Sequence, residues 1–413
     1  MSKSSLIAKI KKTKAFRAAA DCREKLDASK MISRLRKTPA EDRPIRVGFI
    51  AQMPEVWNKN APVFETMLKD GRFDAKLIVV PSYDLTRGKL NGYGAELAFF
   101  ESHYPKACIL TSETLGDDFG RLAEQGFDYV VYQRCWETYL PSNLHAKSVL
   151  KFARTIYIPY CFDLTHEPKS YYKTAFFRYT YRTFAPSKAQ CERMKNCGCP
   201  RTVFEGYPTL DRPAPDPDRT SEDRIKTVLW TPRWTEADFY GGTSFYDCRE
   251  SFLAFQKSHP ELRCVFRPHP LLYENAVKEG KMSETEMADL LSRYQRAGII
   301  IDPNADVNDT LAGTDVLLTD FSSIIMNAFL YGIPIVYLKD LPRTPLYEPF
   351  ESISGTLYYP KNWEEAKTQA ARLLENEDPM KEKREALLLG VLEENKDSAK
   401  KITEAIAADY FGK

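Results

Sequence analysis

The chain has 413 residues, 43% hydrophobic and 28% charged, a balance that describes a soluble globular protein with two cores rather than a disordered chain. Fifty-nine Lys and Arg against 57 Asp and Glu leave a formal net charge of +2, so no global field favours a nucleic-acid partner. No run approaches the roughly 18 apolar residues of a spanning helix, no secretory signal opens the chain, and nine scattered cysteines suit reduced thiols in a cytosolic protein.

Residues 1–40 carry twelve Lys or Arg against three acids, Asp21, Glu24 and Asp27, with apolar residues at near-helical spacing. One or two basic amphipathic helices are expected there, ended by Pro39 and Pro44, so residues 1–43 read as a basic helical extension. A β/α rhythm follows over 44–210. Ile45–Ala51, Ala75–Pro81, Phe127–Gln133, Arg154–Tyr160, Tyr181–Pro186 and Thr202–Gly206 read as strands. Pro62–Lys69, Leu144–Phe152 and Lys188–Lys195 read as helical. Residues 211–225 hold three prolines among charges and predict a linker.

The rhythm restarts over 226–413. Thr227–Thr231, Arg263–Arg267, Gly298–Asp302, Val316–Thr319 and Ile335–Leu338 are the expected strands, and helices over Trp363–Asn376 and Pro379–Ala407 close the chain. Strands alternating with helices predict α/β architecture with parallel sheets and right-handed crossovers, here two Rossmann-like domains with a cleft between them.

Three clusters follow predicted strands. Thr319-Asp320-Phe321-Ser322-Ser323 runs from a buried strand into an apolar helix, which places hydroxyls and free backbone N–H groups where anions bind; helix capping by Asp320 or Ser322 is the alternative. Arg267-Pro268-His269-Pro270 offers a guanidinium fork and an imidazolium between two prolines, suited to charge on a leaving diphosphate. Thr231-Pro232-Arg233-Trp234 ends the first strand of the second domain, where Arg233 can meet phosphate or the tryptophans can simply cover the sheet. Gly206-Tyr207-Pro208 follows a strand and fits a tight hinge. Cys191, Cys197 and Cys199 have no usual zinc spacing; no metal and no cofactor is expected.

Together these stretches resemble the CDP-glycerol glycerophosphotransferase family of teichoic-acid primases and polymerases. The matching residues, over roughly 150–340, are Ser187 with Met194, Gly206–Asp211, Thr231–Trp234, Arg267–Pro270, Asn308–Ala312 and Thr319–Ser323. The resemblance implies a GT-B fold, with the nucleotide held by the C-terminal domain of a peripheral enzyme on the inner face of the cell membrane. It implies that Arg267 and His269 meet donor phosphate, that Ser322 and Ser323 bind the diphosphate, and that Asp320 organises their loop, with Thr231, Thr319 and Gly206 also at the substrate. The reaction implied is attack of an acceptor hydroxyl on the β-phosphorus of CDP-glycerol, releasing CMP, in the synthesis of a teichoic-acid-like or capsular polymer.

The family's H-G-T-P-like segment, whose histidine is the expected base, is replaced here by Pro159-Tyr160-Cys161-Phe162-Asp163-Leu164-Thr165-His166. His166 or Asp163 is then the candidate base, and transfer from a nucleotide sugar, or a non-catalytic scaffold, are the alternative readings. The acceptor implied is a lipid-linked or polymeric polyol or saccharide, and Lys9, Lys11, Lys12, Lys14 and Arg17 are placed to meet anionic lipid.

Overall fold

The computed structural model describes residues 14–84, 87–163, 171–210, 224–236, 241–304, 306–342 and 345–412. The chain divides into two compact units: 1–160 with 168–209 and 397–413, and 161–167 with 210–396.

The first unit is built on seven parallel strands: β1 (Ile45–Ala51), β2 (Phe73–Val79), β5 (Cys108–Leu110), β6 (Tyr129–Tyr132), β7 (Arg154–Tyr157), β8 (Arg182–Phe184) and β9 (Thr202–Val203). Their order is β5-β2-β1-β6-β7-β8-β9. A hairpin of β3 (Tyr83–Asp84) and β4 (Lys89–Leu90) follows β2. The Tyr-Val-Val-Tyr of β6 is fully buried, as expected of a strand covered on both faces. Edge-on aromatic contacts link Trp57 with Phe49, Phe64 and Phe100 under the sheet.

The second unit has five parallel strands, β10 (Thr227–Thr231), β11 (Arg263–Phe266), β12 (Ile300–Ile301), β13 (Val316–Thr319) and β14 (Ile335–Tyr337), in the order β12-β11-β10-β13-β14. Trp230 anchors its core, with ring centroids 4.9 Å from Phe252 and 5.2 Å from Phe266.

Each order reverses once. Growth runs outward from β1 to β2 and β5, then restarts on the other side with β6; likewise β10 to β11 and β12, then β13. An aspartate before the restarting strand marks each seam at its N-terminal end. Asp128 accepts from the Arg46 N–H at 2.9 Å and pairs with Arg43 at 2.7 Å. Asp315 accepts from the Thr227 N–H at 2.7 Å and pairs with Arg224. No sequence repeat announces this correspondence.

Two expectations change. The closing helix predicted over Pro379–Ala407 is two helices, Lys381–Asn395 and Ser398–Phe411, separated where Asp397 takes φ 56°. The second belongs to the first unit rather than to the domain predicted over 226–413. Its buried stripe of Ile402, Ile406 and Tyr410 explains why, as does Asp409, which accepts from Tyr129 Oη at 2.7 Å, Tyr181 Oη at 3.0 Å and Arg182 at 2.7 Å. At the other end the described part of the basic extension forms the helix Lys14–Arg36, which buries Ala28, Ile32 and Leu35 and leaves Arg23, Lys25, Lys30 and Arg34 exposed. Lys9, Lys11 and Lys12 and most of the predicted linker, 211–223, lie outside the described residues.

Candidate active site

Parallel strands end together, so the turns after β10, β11 and β13 share one edge of the second sheet, and the seam between β10 and β13 is where α/β sheets bind ligands. Three of the predicted clusters lie there. Thr231 pairs directly with Thr319 in the ladder. The Thr231 hydroxyl donates to Thr319 Oγ1 at 2.7 Å, and Thr319 donates onward to the carbonyl of Asp320 at 3.0 Å. Both side chains are buried, and these hydroxyls tie the strand ends together.

Asp320 is fully buried. Its Oδ2 accepts the backbone N–H of Arg233 at 2.9 Å and of Ser244 at 2.8 Å. Burial raises its pKa, and the two N–H donors oppose that shift. The carboxylate thus holds the T-P-R-W turn and the start of the helix Phe245–Ser258 at fixed positions, near the positive end of the helix dipole. Its two hydrogen bonds are made from inside the fold.

Arg233 continues outward: Nη1 donates to the carbonyl of Phe321 at 2.6 Å, and the guanidinium lies 5.8 Å from the Phe321 ring. The backbone N–H of His269 donates to the carbonyl of Pro232 at 3.1 Å, which joins the R-P-H-P and T-P-R-W turns. His269 Nδ1 accepts the Leu271 N–H at 3.2 Å, so the neutral ring carries its proton on Nε2. Desolvation first, and then the charge of Arg233, push its pKa down to about 4. The imidazolium anticipated from the sequence is therefore a neutral N–H donor at pH 7 in the free protein.

Arg267 is also more constrained than its motif suggested. Nη1 donates to Asp302 Oδ2 at 2.6 Å and to the carbonyl of Asn304 at 2.7 Å. The same Asp302 oxygen accepts from Thr310 Oγ1 at 2.6 Å, and the other oxygen accepts from the Asn304 N–H at 3.0 Å. Ser322 Oγ accepts the Ile324 N–H at 3.3 Å and so partly caps the seven-residue helix Ile324–Leu330, whereas Ser323 is exposed and makes no side-chain cap.

Gly206 belongs to the first unit. Its φ of +83° suits glycine, and the next residue, Tyr207, donates from Oη to the Pro159 carbonyl at 2.8 Å. Asp163 is half-buried in the segment 161–167, and His166 lies outside the described residues.

Sequence reasoning missed Asp302, and it missed Gly241-Gly242-Thr243-Ser244. A Cβ on Gly241 would sit 2.0 Å from the Asp340 carbonyl oxygen, and Gly241 and Gly242 take φ of +83° and +81°. The tandem glycines before Thr-Ser were the available signal. Thr243 Oγ1 donates to the Arg233 carbonyl at 2.7 Å, completing the frame around Asp320. Among the described residues no group of three or more His, Cys, Asp or Glu is placed to hold a metal ion.

Comparison with known proteins places this edge in context. Residues 186–342 match the family model described as CDP-Glycerol:Poly(glycerophosphate) glycerophosphotransferase. No curated protein matches the chain in sequence. Among solved structures, the wall teichoic acid polymerase TagF, in a crystal soaked with CDPG, is 14% identical with TM-score 0.58, over 95% of this chain and 98% of that one. A Listeria monocytogenes protein assigned as a UDP-N-acetylglucosamine 2-epimerase is 16% identical with TM-score 0.59, over 90% and 97%. The UDP-GlcNAc 2-epimerase from Neisseria meningitidis, bound to UDP-GlcNAc, is 14% identical with TM-score 0.53, over 88% and 100%. At these identities the likeness carries the fold, the two-unit parallel α/β architecture of GT-B proteins. The residues at the second sheet's edge, from Thr231 to Ser323, all fall inside the matched segment.

Proposed function

We propose that this chain, a transferase belonging through residues 186–342 to the CDP-glycerol:poly(glycerophosphate) glycerophosphotransferase family, moves glycerol phosphate from CDP-glycerol to a hydroxyl of a teichoic-acid-like or capsular polymer. The observation that carries this reading is the meeting of T-P-R-W, R-P-H-P and T-D-F-S-S at one sheet edge within the family segment. The acceptor oxygen attacks the β-phosphorus, the bond from that phosphorus to the bridging oxygen breaks, and CMP leaves with the electron pair. Such transfer depends on positioning and on donors aimed at the phosphoryl oxygens.

His269 supplies Nε2–H to a phosphoryl oxygen, and an approaching dianion favours its protonation. Arg233 and Arg267 add positive charge, while Ser323 and the N–H groups after Ser322 meet the diphosphate. The proton of the incoming hydroxyl passes to Asp163 or His166, which stand where the family's histidine segment is replaced. The exposed cations of the helix Lys14–Arg36 suit an anionic lipid surface on the cytoplasmic side, where a lipid-linked acceptor is extended. No described helix is long and apolar enough to cross a membrane.

The test is a donor panel. Purified protein is incubated with CDP-glycerol, CDP-ribitol and UDP-sugars, with thermal stabilisation and nucleotide release measured for each. Stabilisation by CDP-glycerol with release of CMP is expected. Stabilisation by a UDP-sugar alone would replace this reading with glycosyl transfer.

A further inference from the structure

The seam of the first sheet carries groups that the reaction above does not use. Between β1 and β6 the chain ends run Gln52-Met53 and Gln133-Arg134. Gln133 Oε1 accepts the N–H groups of Gln52 and Met53, both at 3.0 Å, and its Nε2 donates to the Met53 carbonyl at 2.5 Å. Gln52 Nε2 donates to the carbonyls of Pro81 at 2.7 Å and Tyr139 at 3.0 Å. These two buried amides brace the seam and leave the Gln52 oxygen for Arg134.

Arg134 is half-buried and under-served. Its guanidinium carbon lies 4.5 Å from the Tyr139 ring centroid, one terminal nitrogen donates to Gln52 Oε1, and the other meets only the Met53 sulfur, a weak acceptor, at 3.0 Å. Among the described residues its Nε has no hydrogen-bond partner and no carboxylate forms an ion pair with it. Arg43, Arg154, Arg182, Arg224, Arg267 and Arg384, also withdrawn from solvent, each pair with an aspartate. Arg201, which pairs with no acid, donates instead to three backbone carbonyls. Desolvation lowers the pKa of Arg134, opposed by the nearby Tyr139, Tyr160, Cys135 and Glu55. Two residues further along the chain, Trp136 is 41% exposed, with its ring 5.3 Å from that of Tyr171 and its Nε1–H directed at Tyr160 Oη at 3.5 Å.

We propose that the seam between β1 and β6 is a phosphate-ester site, in which Arg134 receives the oxyanion of a polyol phosphate and Trp136 covers its carbon chain. A parallel sheet collects ligands at this point of strand reversal. A planar guanidinium with unused N–H groups matches a phosphate oxygen pair, and an exposed indole suits the C–H face of a polyol. The ligand's role, the phosphorylated end of the acceptor, rests on the transferase reading above; the site itself rests on the geometry of the first unit.

The experiment is calorimetric titration of the full chain with glycerol 3-phosphate and, separately, inorganic phosphate, without donor, for the wild type, Arg134→Gln, Arg134→Lys and His269→Ala. Glycerol 3-phosphate should bind the wild type, and more tightly than phosphate. Arg134→Gln should weaken it at least tenfold, Arg134→Lys should keep the charge but only part of the affinity, and His269→Ala keeps all of it. Undiminished binding to Arg134→Gln, no binding to the wild type, or loss in His269→Ala instead would overturn the proposal. A parallel titration with CDP-glycerol monitors the fold and separates the two readings. If Arg134→Gln binds CDP-glycerol normally and glycerol 3-phosphate like the wild type, the phosphate-ester site fails and the donor reading stands. If no protein binds CDP-glycerol while Arg134→Gln loses glycerol 3-phosphate, the donor reading fails and the site stands.

Discussion

The two seams share a plan and differ in charge. Each joins a unit's first strand to the strand that restarts the sheet, and each is tied at its N-terminal end by an aspartate, Asp128 or Asp315. At the C-terminal end the second unit turns a carboxylate inward: Asp320 grips two backbone N–H groups and leaves His269, Arg233 and Ser323 around it. The first unit braces itself with neutral amides, Gln52 and Gln133, and sets a cation beside them. The lesson is that topology chooses where a site forms, while the residue turned inward decides what remains for a ligand. An anchored acid occupies two N–H groups and fixes the turn that carries Arg233; an amide brace leaves one incompletely satisfied arginine.

Breaking the second seam's outward face should have the largest effect. His269→Ala is expected to cut CMP release from CDP-glycerol by about 10²- to 10⁴-fold, the range for a group acting on a transferred proton or charge, with circular dichroism unchanged. The same residue gives a pH signature. Its folded pKa of about 4 lies below the ordinary 6.5, so the folded state binds fewer protons between those values. Stability should therefore fall as pH drops from about 6.5 towards 4, and His269→Gln should flatten that part of the curve in denaturant titrations.

Breaking the inward anchor comes next. Asp320→Ala strands two buried N–H groups and should cost about 3 kcal/mol in urea unfolding, whereas Asp320→Asn, which keeps an acceptor, should cost less. A matched loss in the two variants would mean that the hydrogen bonds are not what Asp320 contributes.

Asp302→Asn tests positioning. It should lower kcat for transfer by about tenfold with little change in KM, because Arg267 stays in place but is less firmly oriented. An unchanged kcat would show that Arg267 needs no such support. The smallest effect is expected of Thr319→Val, which removes the 2.7 Å bond between strand ends and should cost about 1 kcal/mol without altering nucleotide binding.

Much of this was legible in the residues. Ile45–Ala51, Thr227–Thr231 and Val316–Thr319 are apolar, β-rich runs cut off by polar or proline turns, and they form strands with those bounds. The three clusters after second-unit strands meet because parallel strands must end on one side. What was hidden depends on tertiary partners. The strand Cys108–Leu110 is three residues long and carries no pattern, and the break at Lys396–Asp397 has neither Pro nor Gly to mark it. The neutrality of His269 follows from burial beside Arg233, which no local spacing encodes. Gln52, Gln133 and Arg134 are ordinary residues in separate segments, informative only once β1 and β6 lie side by side. Asp302 ends a predicted strand but gains meaning only from Arg267 across the sheet edge.

The claim at the centre of this account is that the second seam holds the donor's diphosphate. Calorimetric titration of CDP-glycerol into the wild type, His269→Ala, a Ser322→Ala/Ser323→Ala double variant and Arg134→Gln tests it directly. At least tenfold weaker binding in the first two variants, with Arg134→Gln matching the wild type, is the predicted result. CDP-glycerol binding as tightly to His269→Ala and the double serine variant as to the wild type would contradict it.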